Sequence, residues 1–221
     1  MASWMIHLRV ADKLLDRIPG LSPIEFIMGN MAPDSGVPNE DWSKFTPSTK
    51  VSHFREDAGT GKKEINLEAY LSRFFTPELR ANYDEKQYSF YLGYYTHLLT
   101  DCLWSDRIAF PTAARFADEF AAGKQAAWER VKEDWYDLDF LYLKKHPGFR
   151  AFRAYLGSVG FVNSYMDFFA SDAFDNRRAY ITSFYLQEND HLDREYPYLT
   201  EAEADRFVEE CVAEILQKLA C

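Results

Sequence analysis

His97 and Asp101 stand four residues apart in Tyr88–Trp104, Y-S-F-Y-L-G-Y-Y-T-H-L-L-T-D-C-L-W, a stretch otherwise dominated by aromatic and aliphatic side chains. On a helix that spacing puts both on one face, with roughly 5–6 Å between their Cβ atoms. An imidazole and a carboxylate on a buried helix face are two of the donors a zinc site needs. They are also two core polar groups that could satisfy one another by a hydrogen bond. Both readings stand open on these residues alone. Gly93, one turn before His97, costs about 1 kcal/mol against alanine inside a helix, so the expectation is a gap beside the pair that something occupies.

The chain has only five histidines: His7, His53, His97, His146 and His191. His146 and His191 fall in polar turns near prolines. His53 (V-S-H-F) and Asp34 (G-N-M-A-P-D) lie in a stretch of different character. Together Asp34, His53, His97 and Asp101 offer two imidazoles and two carboxylates, a set suited to zinc and also to iron or manganese. His7 adds a fifth donor. Spacing cannot show that residues this far apart meet.

Most of the elements that must bring them together read as helices. Residues 2–16 carry Met5, Leu8, Leu14 and Leu15 against Arg9, Asp12, Lys13 and Asp16, an amphipathic helix that holds His7 and stops at Ile18-Pro19-Gly20. Pro23–Met28 is a short helix with Ser22 as its cap. Gly29–Gly61 is rich in glycine, proline and polar residues. It reads as one long loop, ordered because it carries Met31, Trp42, Phe45 and Phe54. Asn66 caps a helix to Phe75, and Asp84 caps the central helix. Pro111 interrupts the chain before a helix over Thr112–Ala122, and Gln125–Lys145 forms a longer one ended by His146-Pro147-Gly148. Phe149–Leu156 is a short helix, Val162–Gln187 reads as one helix or two, and Thr200 with Glu203 opens a last helix over Glu201–Leu219 by a capping box. Strand alternation is nowhere sustained. The expectation is a single all-α domain over residues 1–221.

Composition narrows the function. The 221 residues are 47% hydrophobic and carry a net charge of −10, which supports a large core and argues against a broad nucleic-acid surface. Cys102, Cys211 and Cys221 form no disulfide framework. No run of about 18 apolar residues suggests a transmembrane span. The first residues, M-A-S-W-M-I-H, show no basic region followed by an apolar run and a cleavage site, so a cytoplasmic location is expected.

The succession His7, G-N-M-A-P-D, S-H-F and Y-L-G-Y-Y-T-H-L-L-T-D resembles the zinc-dependent phospholipase C family, of one superfamily with the fungal single-strand nucleases. The matching motifs span residues 1–107. The resemblance implies a helical fold with up to three zinc ions in a cleft. It implies that Asp34, His53, His97 and Asp101 hold one ion. It implies that His7 and Asp101 hold a second, with Asp101 bridging and the N-terminal amine completing the set. Two features depart from the pattern. Secreted members begin at a tryptophan freed by processing, whereas Trp4 is internal here. Loss of Met1 would present the Ala2 amine five residues before His7, and mass spectrometry showing Met1 retained or Ala2 acetylated would sink that expectation. The histidines of the third site are also missing: Asp106-Arg107 stands at the first place, and neither His146 nor His191 fits the second. Substitutes would be Asp106 or the carboxylates of E-D-W-Y-D-L-D (Glu133, Asp134, Asp137, Asp139), although an acidic run on a helix is more often a solvated face. One to three zinc ions are expected, other divalent transition metals being chemically possible.

The expected activity is hydrolysis of a small phosphodiester or phosphomonoester, or of a lipid headgroup, by metal-activated water. Asp34 would serve as base or as ligand, and Arg55 or Lys50 would bind phosphate. Tyr91, Tyr94, Tyr95 and Phe54 would line either the substrate cleft or the core. The alternatives are a nuclease or nucleotidase of the same superfamily, and a metal-binding helical module without turnover. Oligomeric state is not legible.

Overall fold

The computed structural model describes residues 1–41, 43–57 and 63–220. Trp42, Gly61 and Cys221 lie outside the described residues. The chain is 67% helical with 4% strand, the all-α class expected. In order come α1 (Trp4–Arg17), α2 (Pro23–Met31), a 3-10 turn (Ala32–Asp34), α3 (Thr49–Ser52), α4 (Leu67–Phe74), α5 (Pro77–Asn82) and α6 (Glu85–Trp104). Then follow α7 (Phe110–Arg115), α8 (Ala117–Ala122), α9 (Lys124–Lys145), α10 (Arg150–Gly157), α11 (Ala173–Tyr185) and α12 (Glu201–Leu219). One cluster of buried apolar residues runs from Ala2 through Trp104 to Ile215, so the two ends of the chain share a core.

Helix α6 is the axle. It starts with a capping box in which the Asp84 side chain accepts from the Gln87 amide and the Gln87 side chain accepts from the Asp84 amide. From Ser89 to Trp104 it is buried except at Cys102. Helix α2 lies directly against it, backbone to backbone. A methyl group on Gly93 would overlap the Phe26 carbonyl oxygen and come within 2.9 Å of the Asn30 nitrogen. A methyl on Gly29 would overlap the Phe90 carbonyl in the same way. This corrects the expectation at Gly93: the gap is filled by helix α2, not by a ligand.

Several boundaries differ from the sequence reading, each for a local reason. Pro111 does not interrupt the chain. A π-helical turn over Ser105–Ala109 carries α6 into α7, with Pro111 in the first turn of α7, where no amide hydrogen is needed. The helix expected over Thr112–Ala122 is therefore split at Phe116. Thr76-Pro77 does not only end α4; Thr76 caps a further short helix, α5. The helix expected from Val162 begins only at Ala173. Before it, the Asn163 side chain donates to the Met166 and Phe169 carbonyls at 2.7 and 2.9 Å and accepts from the Tyr165 and Met166 amides. An asparagine that satisfies the backbone of a bend competes with helix formation. Ser22 bonds the Glu25 side chain and makes no side-chain cap bond to the backbone of α2. The Gly29–Gly61 stretch is more ordered than one loop. Antiparallel pairs β1 (Val37–Pro38) with β2 (Phe45–Thr46) and β3 (Arg55–Asp57) with β4 (Lys63–Ile65) flank α3.

Candidate metal centre

Four elements aim five donors at one point. Helix α1 buries His7, the turn after α2 presents Asp34, the end of α3 presents His53, and α6 presents His97 and Asp101. His7, His53, His97 and Asp101 are each exposed by 1% or less, so none of them meets bulk solvent.

His97 is fixed first. Its Nδ1 donates to the Asn30 carbonyl at 2.7 Å, because the close α2–α6 packing brings that carbonyl within reach. A carbonyl only accepts, so Nδ1 carries the proton and Nε2 presents its lone pair inward. His53 is fixed by its neighbours. The Tyr94 hydroxyl donates to the Ser52 carbonyl, and His53 Nδ1 lies 2.9 Å from the Ser52 hydroxyl. Phe54 follows at φ 51°, a left-handed conformation that a bulky residue holds only at a cost of about 1–3 kcal/mol. Its ring is gripped edge-on by Tyr70, Phe74, Tyr94 and Phe168, which keeps the strained link in place.

His53 Nε2 then lies 3.2 Å from Asp34 Oδ1, 3.3 Å from His97 Nε2 and 3.7 Å from Asp101 Oδ2. His97 Nε2 is 3.8 Å from that same Asp101 oxygen. Tetrahedral zinc with nitrogen ligands at about 2.0–2.1 Å would separate its ligands by about 3.3 Å along each edge. Those four separations lie near or somewhat above that spacing. The other Asp101 oxygen faces elsewhere: Oδ1 is 3.4 Å from His7 Nε2 and accepts from the Ala2 backbone nitrogen at 2.8 Å. Two donor groups result, His7–His97–Asp101 and Asp34–His53–His97, each compact enough for one ion. The His7 and His97 rings stack at 3.8 Å between centroids.

Protein partners do not satisfy this cluster. Both ring nitrogens of His7 and Oδ2 of Asp101 are buried without a hydrogen bond among the described residues. Each such orphan costs about 1–3 kcal/mol. A cation between them would convert that cost into ligation, so the residues present fit a metal. Protonation states agree. Burial, then repulsion from His7, lowers the His97 pKa to about 3, so the imidazole is neutral at pH 7. Burial would raise Asp101 and Asp34, yet both end below the usual carboxylate range. The nearby amino-terminal charge and His7 act on Asp101, and the His53 hydrogen bond acts on Asp34.

The expected substitutes for a third site are otherwise engaged. Asp134 and Asp137 are ion-paired with Arg194 at 2.6 and 2.8 Å, and Asp134 also accepts from the Tyr198 amide. Asp139 is buried and accepts from the Ser3 and Tyr185 hydroxyls at 2.8 and 2.6 Å. Asp106 and Glu133 are exposed, and neither joins a ligand group among the described residues. His146 bonds the Tyr142 carbonyl and His191 lines a separate groove.

Burial raises the Asp139 pKa to about 7, above the ordinary 3.8. Between those values the folded state holds a proton that the unfolded state releases, so this group's contribution to stability declines as pH rises. The stability of Asp139→Asn relative to wild type is expected to shift in the variant's favour from about pH 4 to about pH 7. Urea titrations of both proteins at several pH values check it; a pH-independent difference refutes the assignment.

A cleft of about 760 Å³ opens above the cluster, with Asp34 and His53 in its wall. Arg55 lines it, as expected. Lys50 does not; it is exposed on α3 and points elsewhere. Tyr91, Tyr94, Tyr95 and Phe54 are absent from the lining, and the three tyrosines are buried core. The aromatic wall comes instead from Trp4, Trp128, Trp135, Tyr136 and Tyr180, with Lys132 and Arg177 among them. Sequence reasoning missed these. The only signal was an apolar stripe on α9, which reads equally as core.

Residues 6–104 match the family described as zinc dependent phospholipase C, which bears out the resemblance seen in the motifs. All five donors fall inside that span. No curated protein and no solved structure matches the chain significantly. Among the described residues no helix is long and apolar enough to cross a membrane. The family match and the donor cluster together support a metal-dependent hydrolase.

Proposed function

We propose that this chain, a zinc-dependent phospholipase C relative over residues 6–104, hydrolyses a small phosphate ester at a two-ion zinc centre. The observation that carries the reading is the split of Asp101: one oxygen faces His53 and His97, the other faces His7 and the Ala2 nitrogen. In this reading Asp34, His53, His97 and Asp101 hold one ion, and His7 with Asp101 holds the second. Cleavage of the chain before Ala2, whatever precedes it, would turn a hydrogen-bonding amide into an amine able to ligate. Residues 1–221 act as one domain around this centre.

Zinc, when bound, supplies Lewis acidity that lowers the pKa of a water towards about 7 and draws charge from phosphoryl oxygens. The chain's own residues do the rest. Asp34 is the one carboxylate of the cluster that lines the cleft, which supports a role for it beside the attacking water. Its depressed pKa suits it to ligation and to orienting that water by accepting its hydrogen bond, more than to outright proton removal. Arg55, two residues beyond His53, lines the cleft and would offer its guanidinium to an anionic oxygen of the substrate. The aromatic wall excludes water from the organic part of the ester. A metal-binding module without turnover is the second reading, favoured by the engagement of Asp134, Asp137 and Asp139 elsewhere.

Metal content by plasma mass spectrometry, with a chelator melt, tests the proposal. Two ions per chain and a chelator-lowered Tm are expected in the wild type, because a ligand bound only by the folded state stabilises it. His97→Ala should melt at nearly the same temperature with or without chelator. Hydrolysis of nitrophenyl phosphate mono- or diesters then separates the two readings: a single ion without turnover supports the module.

A further inference from the structure

The cleft carries a charge pattern that the metal centre does not explain. Its charged side chains are Asp34, which belongs to the donor cluster, and three cations: Arg55, Lys132 and Arg177. They come from three different elements, β3, α9 and α11. In a chain with 35 acidic and 25 basic residues, cations find carboxylates easily. Arg150 takes Asp12 and Asp16, and Arg194 takes Asp134 and Asp137. None of the three cleft cations has a carboxylate partner among the described residues.

Two of the three are held at least partly out of water. Arg55 Nε is buried without a hydrogen-bond partner. Arg177 is 7% exposed, donates one hydrogen bond to the Gly36 carbonyl at 2.5 Å and lies against the Tyr180 ring. The Gly36 bond holds the loop behind Asp34, but a carbonyl neutralises no charge. A guanidinium held out of water calls for an anion. Lys132 is exposed and free of ion pairs among the described residues, a third positive charge, on α9.

We propose that the cleft selects phosphate esters bearing a second anionic group, with Arg55, Lys132 and Arg177 as its counter-charges, and disfavours cationic groups such as choline. The inference rests on the phosphoesterase reading of the same site. One phosphate addresses the metal centre; the second anion, a carboxylate or another phosphate, meets the cations. A quaternary ammonium would instead meet like charge, which discriminates by repulsion as effectively as a new contact does by attraction. The aromatic wall accepts the apolar remainder of either ligand and does not decide between them.

Titration calorimetry on the full-length protein, zinc-loaded and metal-free, with phosphoglycolate, glycerophosphate and phosphocholine tests this. All three are phosphate monoesters and differ in the second group: anionic, neutral or cationic. Phosphoglycolate is expected to bind tightest and phosphocholine weakest, the extremes differing by about tenfold or more, as one charge-assisted contact allows. Lys132→Glu, on an exposed position that tolerates change, should shrink or invert that ratio, and Arg55→Gln should shrink it. Phosphocholine binding as tightly as phosphoglycolate overturns the inference. So does a ratio unmoved in both variants, or the failure of all three probes to bind in either form. Turnover missing while the ranking holds overturns the hydrolase reading alone; turnover with phosphocholine preferred overturns the charge reading alone. Sedimentation with phosphatidylcholine vesicles, with and without phosphatidylserine, identifies the source of the anion. Pelleting only with the anionic lipid, competed by phosphoglycolate, assigns it to a headgroup; no pelleting, with phosphoglycolate still bound, assigns it to a soluble ester.

Discussion

In the two-ion reading, where Asp101 contributes an oxygen to each ion, Asp101→Ala is expected to weaken both sites at once, lowering zinc affinity by more than about 100-fold, since loss of even an outer-shell partner costs roughly 10–100-fold. Asp101 is the residue whose two oxygens face different donors, so in that reading neither ion keeps its full ligand set. Metal content by plasma mass spectrometry should fall from two ions per chain to less than one, and hydrolysis should fall with it. His7→Ala should remove one ion and spare the other, because His7 touches only the Oδ1 side. The competing idea, that His97 and Asp101 merely satisfy each other in the core, predicts something else. It expects a destabilised protein with no response to chelator, before or after mutation. The 3.8 Å between His97 Nε2 and Asp101 Oδ2 is too long for such a hydrogen bond. Asp101→Ala protein that keeps its wild-type zinc would end the metal assignment.

Gly93→Ala is expected to destabilise the fold by at least the roughly 1–3 kcal/mol typical of overpacking. The atoms it would strike are backbone, the Phe26 carbonyl and the Asn30 nitrogen, which cannot rotate aside as a side chain would. At about 2–4 °C per kcal/mol for a chain of this size, that is a drop in Tm of roughly 2–12 °C or more. Gly157→Ala is the control, since nothing lies within 4 Å of a methyl there. Equal melting temperatures for the two variants would contradict the close approach. Zinc affinity should weaken in Gly93→Ala as well. Pushing α2 away draws the Asn30 carbonyl from His97 Nδ1, and with it the reason that Nε2 faces the cluster.

Gly93 also marks where sequence reasoning stops. A glycine on a buried helix announces that something comes close, but not whether it is a ligand or another helix. The partner is Phe26–Asn30, sixty-odd residues away in sequence, and its own glycine, Gly29, was read as the start of a loop. The donors themselves were legible because their chemistry is rare in an apolar setting: His97 and Asp101 on a core helix, His53 and Asp34 in short motifs. Helix starts with a side-chain cap, at Asn66, Asp84 and Thr200, were legible from local chemistry and are all present. The boundary at Asn163 was not, because an asparagine that bends a loop and one on a helix surface look alike in sequence. The cleft was the least legible part. Lys132, Trp128 and Trp135 share a helix with Val131 and Leu138, and which of them face the cleft follows from how α9 lies against α1 and α6, a property of the packing alone.

The wall of the cleft begins at the first residues: Met1, Ala2, Ser3 and Trp4 all line it, and Ser3 is moored there by Asp139. Where an affinity tag is attached therefore matters to any assay. A polyhistidine tag joined ahead of Met1 would start at the cleft, bring surplus imidazoles to the donor cluster and keep the Ala2 nitrogen an amide. Inhibition by such a tag, relieved by cutting immediately before Ala2, would be a property of the purification and not of the protein. A tag after α12 leaves these four residues as they are, but its own imidazoles bind zinc as well, so metal counts are to be taken after its removal.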